Sequence, residues 1–224
     1  MGMNIAIDGP AGAGKSTIAR KVAEKLSFLY VDTGAMYRAI AVYFLRNGLD
    51  PAKEEDVKQV CEKADISIAY KEKEQRIYLN QEDITGLLRT EETGKMASLS
   101  SAHPLVREKL LETQRELARK NSVVMDGRDI GTKVLPEAEV KIYLTASVHT
   151  RALRRYQELK EKGIDCQLSE IEKDIEDRDY RDMNRPVSPL RQAEDAVLVD
   201  ASEMTIPQVL DKILEICKEK VKVG

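Results

Sequence analysis

Apolar residues recur along this chain in two rhythms. Ile5-Ala6-Ile7, Phe28-Leu29-Tyr30-Val31, Val123-Val124-Met125, the stretch Val140 to Leu144 and the stretch Ala196 to Asp200 are short runs with the length of buried strands. Between them the period lengthens to that of amphipathic helices. These cover residues 15–26, a segment ending near Arg46 with Asn47-Gly48 as its stop, and a segment opened by Pro104 and ended by Asn121. Others run from Arg151 to a break at Gly163, from Leu168 to Arg181, and from Ile206 to about Lys220. Strand and helix in alternation predict βαβ crossovers, hence an α/β fold with a five-stranded parallel sheet covered by helices on both faces.

One region keeps a different beat. Pro51 opens a polar helix to about Ala64, then Ile66 to Tyr70 and Arg76 to Leu79 alternate across the charged turn 71–75, which reads as a hairpin. A helix-like segment from Thr90 to Ser101 follows. Residues 66–103 are therefore expected to form a small α+β insertion in a core made of 1–65 and 104–224. It follows the helix ending near Arg46 and is well placed to close over an acceptor.

The candidate chemistry begins directly after the first strand. Gly9-Pro10-Ala11-Gly12-Ala13-Gly14-Lys15-Ser16-Thr17 matches GxxxxGK[ST], a phosphate-binding loop between strand and helix. Its glycines let backbone N–H groups converge on phosphate oxygens at the positive end of a helix. Lys15 is placed to bridge the β and γ phosphates of a nucleotide, and Ser16 to help hold Mg2+. Asp126, at the end of the apolar run Val123 to Met125, sits where a carboxylate accepts from the loop hydroxyl or from metal-bound water. Ligands of such sheets gather at the carboxyl ends of the strands, so Thr33 and Arg38, past the second strand, are expected to face the same crevice.

Composition narrows the partners. Charged residues make up 33% of the chain, the formal net charge is −3, and aromatics are only 4%. No general attraction to nucleic acid or anionic membrane is expected, so anionic ligands need local arginines. Cys61, Cys166 and Cys217 are odd in number and form no CxxC pair, which argues against a disulfide scaffold or zinc site and for a reducing cytoplasm. No signal sequence or bilayer-length apolar segment is read, and Ala6 stands where a myristoylation motif at Gly2 wants Ser or Thr. His103 and His149 lack a nucleophile constellation and receive no role. A nucleotide-dependent binding switch is the alternative from another class, but no NKxD motif is present, and Asp83-Ile-Thr-Gly86 follows a polar turn rather than a buried strand.

Four segments carry a resemblance: GPAGAGKST, DTGAMYR at 32–38, DGRDIGT at 126–132 and DRDYRDMNRPVSPL at 177–190. Together they resemble the bacterial cytidylate kinases, P-loop nucleoside monophosphate kinases. The likeness spans essentially the whole chain, and 66–103 resembles that family's enlarged monophosphate-binding domain. The resemblance implies transfer of the ATP γ-phosphoryl group, with Mg2+, to CMP or dCMP. The alternative acceptors within this chemistry are UMP, AMP or a metabolite hydroxyl.

By the same resemblance, Thr33, Arg107, Asp129 and Arg185 surround the cytosine, Arg38, Arg128 and Arg178 grip the CMP phosphate, and Asp182 reaches the ribose. Lys15, Asp126, Arg128 and Arg178 serve the transfer itself. Arg151 and Arg155 flank a short lid, about 156–177, and cover the ATP phosphates or adenine. A carboxylate at Asp129 can take the cytosine amine, whereas uracil would oppose it with a carbonyl at a cost of about 1–3 kcal/mol. Met183 is left out of the site. A cytoplasmic monomer in pyrimidine metabolism is the corresponding expectation.

Overall fold

The computed structural model describes residues 3–222, Lys73 excepted; Met1 and Gly2 lie outside them. β1 (Asn4–Asp8) is central in a five-stranded sheet and buried along almost its whole length. β6 (Val123–Gly127) and β7 (Val140–Thr145) flank it in parallel, with Ile5 opposite both Val124 and Val140. β2 (Leu29–Asp32) and β8 (Val197–Asp200) close the two edges, giving the order β2-β6-β1-β7-β8 with every pairing parallel.

The phosphate loop leads from β1 into α1 (Lys15–Leu26), and its shape requires glycine. A Cβ on Gly9 would lie 1.9 Å from the Leu144 carbonyl oxygen, and Gly14 enters the helix with φ of 83°. α1 buries Ile18, Ala19 and Val22 in one apolar cluster with Val209, Ile213 and Cys217 of the closing helix α8 (Ile206–Lys222). On the sheet's other flank, α2 (Thr33–Arg46) starts at Asp32, whose Oδ1 accepts from the Ala35 amide at 2.9 Å.

The region of different rhythm forms a second sheet. β3 (Ile66–Lys71) and β4 (Glu74–Leu79) pair as an antiparallel hairpin, extended by β5 (Glu82–Asp83), a strand too short to show any alternation in sequence. α4 (Glu91–Ser100) follows. The preceding helix, α3 (Glu54–Lys63), begins three residues later than Pro51 suggests. Asp50 explains the delay: its Oδ1 accepts from Ala52, its own amide donates to Asp56, and Pro51 is left in a turn. Val57 and Val60 of α3 share one apolar cluster with Ile77 and Leu79 of the hairpin, Met36 and Ile40 of α2, and Val106 and Leu110 of α5 (Pro104–Lys120).

α6 (Val148–Glu161) and α7 (Leu168–Asn184), which follow β7 in the chain, form a helical pair with Ala152, Ile171 and Ile175 as its small core. His103 caps α5 through the Leu105 amide, and His149 lies 2.7 Å from Glu172, joining α6 to α7. Among the described residues, no helix is long and apolar enough to cross a membrane.

Candidate active site

The carboxyl ends of β1, β2 and β6 open on one cleft of about 310 Å³. The phosphate loop forms its floor, where Lys15, only 6% exposed, donates to the Pro10 carbonyl at 2.7 Å. Burial, together with the nearby guanidinium groups of Arg128 and Arg178, holds the Lys15 ammonium well below its ordinary pKa, against the opposing pull of Asp126 and Asp8. An ammonium in that position gains by meeting an anion.

Asp126, the fourth of the five buried residues of β6, accepts twice, from Ser16 Oγ at 2.9 Å and from the Tyr30 hydroxyl at 3.0 Å. Burial first, and the charge of Asp32 next, push its pKa up to about 6. Its backbone carbonyl accepts from Thr33 Oγ1 at 2.8 Å, which fixes the start of α2 against β6. Asp8, the residue before the phosphate loop, is equally buried. Its carboxylate accepts from the amides of Ile130 and Gly131 at 2.8 and 2.7 Å, anchoring the π-helical turn Ile130–Val134 that begins directly after Asp129. Burial pushes this carboxyl up to about 6 as well.

The opposite wall is built from arginines. α2 brings Arg38, the turn after β6 brings Arg128, and α7 brings Arg178 and Asp182. Asp182 accepts from Arg128 Nε at 2.9 Å and lies 3.7 Å from Arg185 Nη1. Burial pushes its carboxyl upward, but Arg128 and Arg185 outweigh that and hold it below the usual range. Arg178 has no such ion-pair partner among the described residues. Its Nε is buried without a hydrogen-bond acceptor among the described residues, and burial, with Arg128 and Arg38 adding to it, lowers its pKa to about 10.

At the far end, Arg107 donates to Asp129 Oδ2 at 2.6 Å and to the Ser101 carbonyl at 2.9 Å, and its guanidinium lies 5.1 Å from the centre of the Tyr37 ring. Arg107 Nε and Arg185 Nη2 are, like Arg178 Nε, buried donors without a partner among the described residues. Buried donors of this kind await acceptors, and an anionic, hydrogen-bonding ligand supplies them.

Thr33, Arg38, Arg107 and Arg128 thus line the same cleft as Lys15 and Ser16, and Asp129, Arg178, Asp182 and Arg185 complete its wall. Arg151 and Arg155 do not line it. Arg151 is turned beneath the phosphate loop, donating to the Ala11 and Ala146 carbonyls at 2.9 and 2.8 Å and pairing with Asp179 at 2.7 Å. Arg155 is exposed beside Glu158 at 3.3 Å. Sequence reasoning passed over Asp8, Tyr30 and Tyr37. Tyr37 stands inside the DTGAMYR segment, but nothing local announces that Asp8 meets a turn more than a hundred residues away.

A phosphate loop at one end of a cleft and buried arginines at the other, set on this parallel sheet, define a P-loop phosphotransferase acting on a small anionic acceptor. The cytidylate kinase family profile matches residues 5–219. The cytidylate kinase of Carboxydothermus hydrogenoformans is 52% identical over 218 residues, covering 97% of this chain and 98% of that protein. That of Bacillus subtilis is 47% identical, covering 97% of each. The chain belongs to the cytidylate kinase family. A crystal structure of an uncharacterized protein from Eubacterium ventriosum superposes with a TM-score of 0.52 at 14% identity, over 96% of this chain and 97% of that one, a likeness of fold alone.

Proposed function

We infer that this protein transfers the γ-phosphoryl group of ATP to CMP or dCMP, giving ADP and CDP or dCDP. Besides the family, one observation carries the reading. A single cleft faces the Lys15–Ser16 end of the phosphate loop with Arg38, Arg128 and Arg178, and ends at the Arg107–Asp129 pair.

ATP lies along the loop from Gly9 to Thr17, with Lys15 donating to its outer phosphates. The donor set of Ser16 Oγ and Asp126, with Asp32 nearby, suits a hard cation that takes one or two carboxylates besides phosphate oxygens. Ser16 and Asp126 would hold Mg2+, which when bound supplies neutralisation of the developing phosphate charge. Arg38, Arg128 and Arg178 bind the CMP phosphate; burial first, and the charges of Arg128 and Arg38 next, disfavour the Arg178 cation, and an anion beside it offsets both. The acceptor oxygen is already ionised, so no strong base is required, and the side chains align the two phosphates and neutralise charge.

At the base, Arg107 occupies Asp129 Oδ2, which leaves Oδ1 to accept the cytosine amine, while Arg107 and Arg185 serve the ring acceptors. Asp182 takes the ribose hydroxyls. In this reading residues 66–103 are the monophosphate-binding insertion, about 156–177 is the lid, Arg151 holds the phosphate loop from beneath at Ala11, and Arg155, exposed on α6, covers the ATP phosphates or adenine. A monomer suffices, because every group invoked comes from one chain. Three free cysteines support a cytoplasmic setting in pyrimidine nucleotide metabolism.

The deciding experiment follows ADP formation by the purified protein with CMP, dCMP, UMP and AMP offered separately. Turnover with CMP and dCMP well above UMP and AMP is expected. No ADP formation with CMP would sink the reading.

A further inference from the structure

β2 is an edge strand, so alternate backbone groups along it face away from β6 and, among the described residues, have no strand to pair with. Side chains of the β3–β4 hairpin take that place. Gln75 Oε1 accepts from the Asp32 amide at 2.8 Å, and Gln75 Nε2 donates to the Asp32 carbonyl at 3.2 Å. Two residues back, the Tyr70 hydroxyl donates to the Tyr30 carbonyl at 2.9 Å.

The register explains why these two act together. Tyr70 and Gln75 are cross-strand partners, as are Ile68 and Ile77, and Ile66 and Leu79. All six therefore share one face of the hairpin. That face packs its apolar end into the cluster of α2 and α3 and lays its polar end against β2.

What Gln75 holds is the pivot of the cleft. Asp32 ends β2, caps α2 through Ala35, lines the cleft, and by its charge raises the pKa of Asp126. Thr33 follows it and donates to the Asp126 carbonyl, and Arg38 lies little more than one helical turn further along. A second tie between insertion and α2, the Arg46–Glu82 pair at 2.6 Å, lies at the other end of the helix, exposed and away from the cleft.

We propose that Gln75, supported by Tyr70, is a positioning residue for phosphoryl transfer. By standing in for a missing strand it fixes the backbone at Asp32, and so sets Thr33 and Arg38 against Asp126. The proposal rests on the kinase reading of the cleft, which the wild-type assay with CMP tests by itself.

The test compares Gln75→Ala, Gln75→Glu and Tyr70→Phe with Glu82→Gln, which leaves the cleft untouched. Kinetic constants for CMP and ATP are measured, with amide hydrogen exchange over residues 30–36 and urea unfolding. Gln75→Ala is expected to lower kcat/KM for CMP about five- to twentyfold, to leave KM for ATP within about twofold, and to speed exchange at Asp32. Gln75→Glu gives the same loss, because its second oxygen opposes the Asp32 carbonyl, and Tyr70→Phe gives a smaller one. CMP kinetics in Gln75→Ala equal to those of Glu82→Gln would overturn the proposal. So would losses shared equally between CMP and ATP that track a fall in the urea midpoint. A wild type inactive toward CMP would remove the kinase reading, while the exchange data would still report on the clamp.

Discussion

Asp129 has one carboxylate oxygen committed to Arg107 at 2.6 Å, and this division makes its role testable. Replacing it by alanine removes the group that tells an amine from a carbonyl. Asp129→Ala is expected to cut the preference for CMP over UMP by about tenfold or more, read as the ratio of the two kcat/KM values. Lys15→Ala is the contrast: it removes a charge from the phosphate end and is expected to lower turnover with either acceptor by about a hundredfold or more, leaving the ratio unmoved. An unchanged ratio in Asp129→Ala would remove that residue from base reading. Asp8 makes a prediction in pH. Its pKa is raised to about 6, so its proton binds more tightly in the folded than in the unfolded chain. The resulting stabilisation is fully present below the unfolded value near 4 and is lost as pH rises through about 6, by on the order of 3 kcal/mol over the full span. Asp8→Asn has no such titration. Urea unfolding at pH 4.5 and 7.5 should therefore show a stability decline in the wild type that exceeds the variant's; equal slopes would contradict the argument.

At the scale of elements, α6 and α7 are tied to the phosphate loop by one guanidinium. Arg151 is 4% exposed and engages Ala11 of the loop, Ala146 before α6 and Asp179 of α7, the neighbour of Arg178. Gly12 runs close above it, where a Cβ would lie 3.4 Å from the Arg151 Cβ. Truncating one member of a buried pair leaves the other charge uncompensated. Arg151→Met is expected to lower stability by about 3–5 kcal/mol in urea unfolding, and adding Asp179→Leu to recover part of that loss. A double variant as unstable as the sum of the two single variants would show that the residues do not act as a pair. The exposed Arg155–Glu158 contact is worth far less, and its removal should barely move the midpoint.

For the whole molecule, the hairpin and the main body share apolar packing. Ile77, 1% exposed, lies in the same cluster as Phe44 of α2, Val60 of α3 and Leu110 of α5. Ile77→Ala is expected to cost about 2–4 kcal/mol, with tyrosine fluorescence and far-UV circular dichroism moving together to the lower urea midpoint. Two separated transitions would instead mark the hairpin as an independently unfolding unit.

Strand and helix identities were legible because each is a local matter: Val123 to Met125 is apolar enough for a central strand, and GxxxxGK[ST] carries its own geometry. The end of α2 was legible too, since Asn47-Gly48 punctuates it. The start of α3 was not, because the Asp50 carboxylate takes the Ala52 amide after Pro51 while the Asp50 amide is held by the Asp56 side chain. The phosphate loop and the motif residues Thr33, Arg38, Arg128 and Asp129 could be picked from the chain, and the resemblance supplied Arg107, Arg178, Asp182 and Arg185. Pattern alone could not reveal Asp8 on the Ile130 turn, Arg151 beneath the loop, or Tyr70 and Gln75 on the edge of β2. Sequence determined the periodicity, the loop and the residue types that chemistry needs, since these depend on neighbours a few positions away. Only tertiary structure decided the strand order, and with it which strand is left with an open edge and which side chain closes it, because those partners are distant in sequence and meet only when the sheet is assembled.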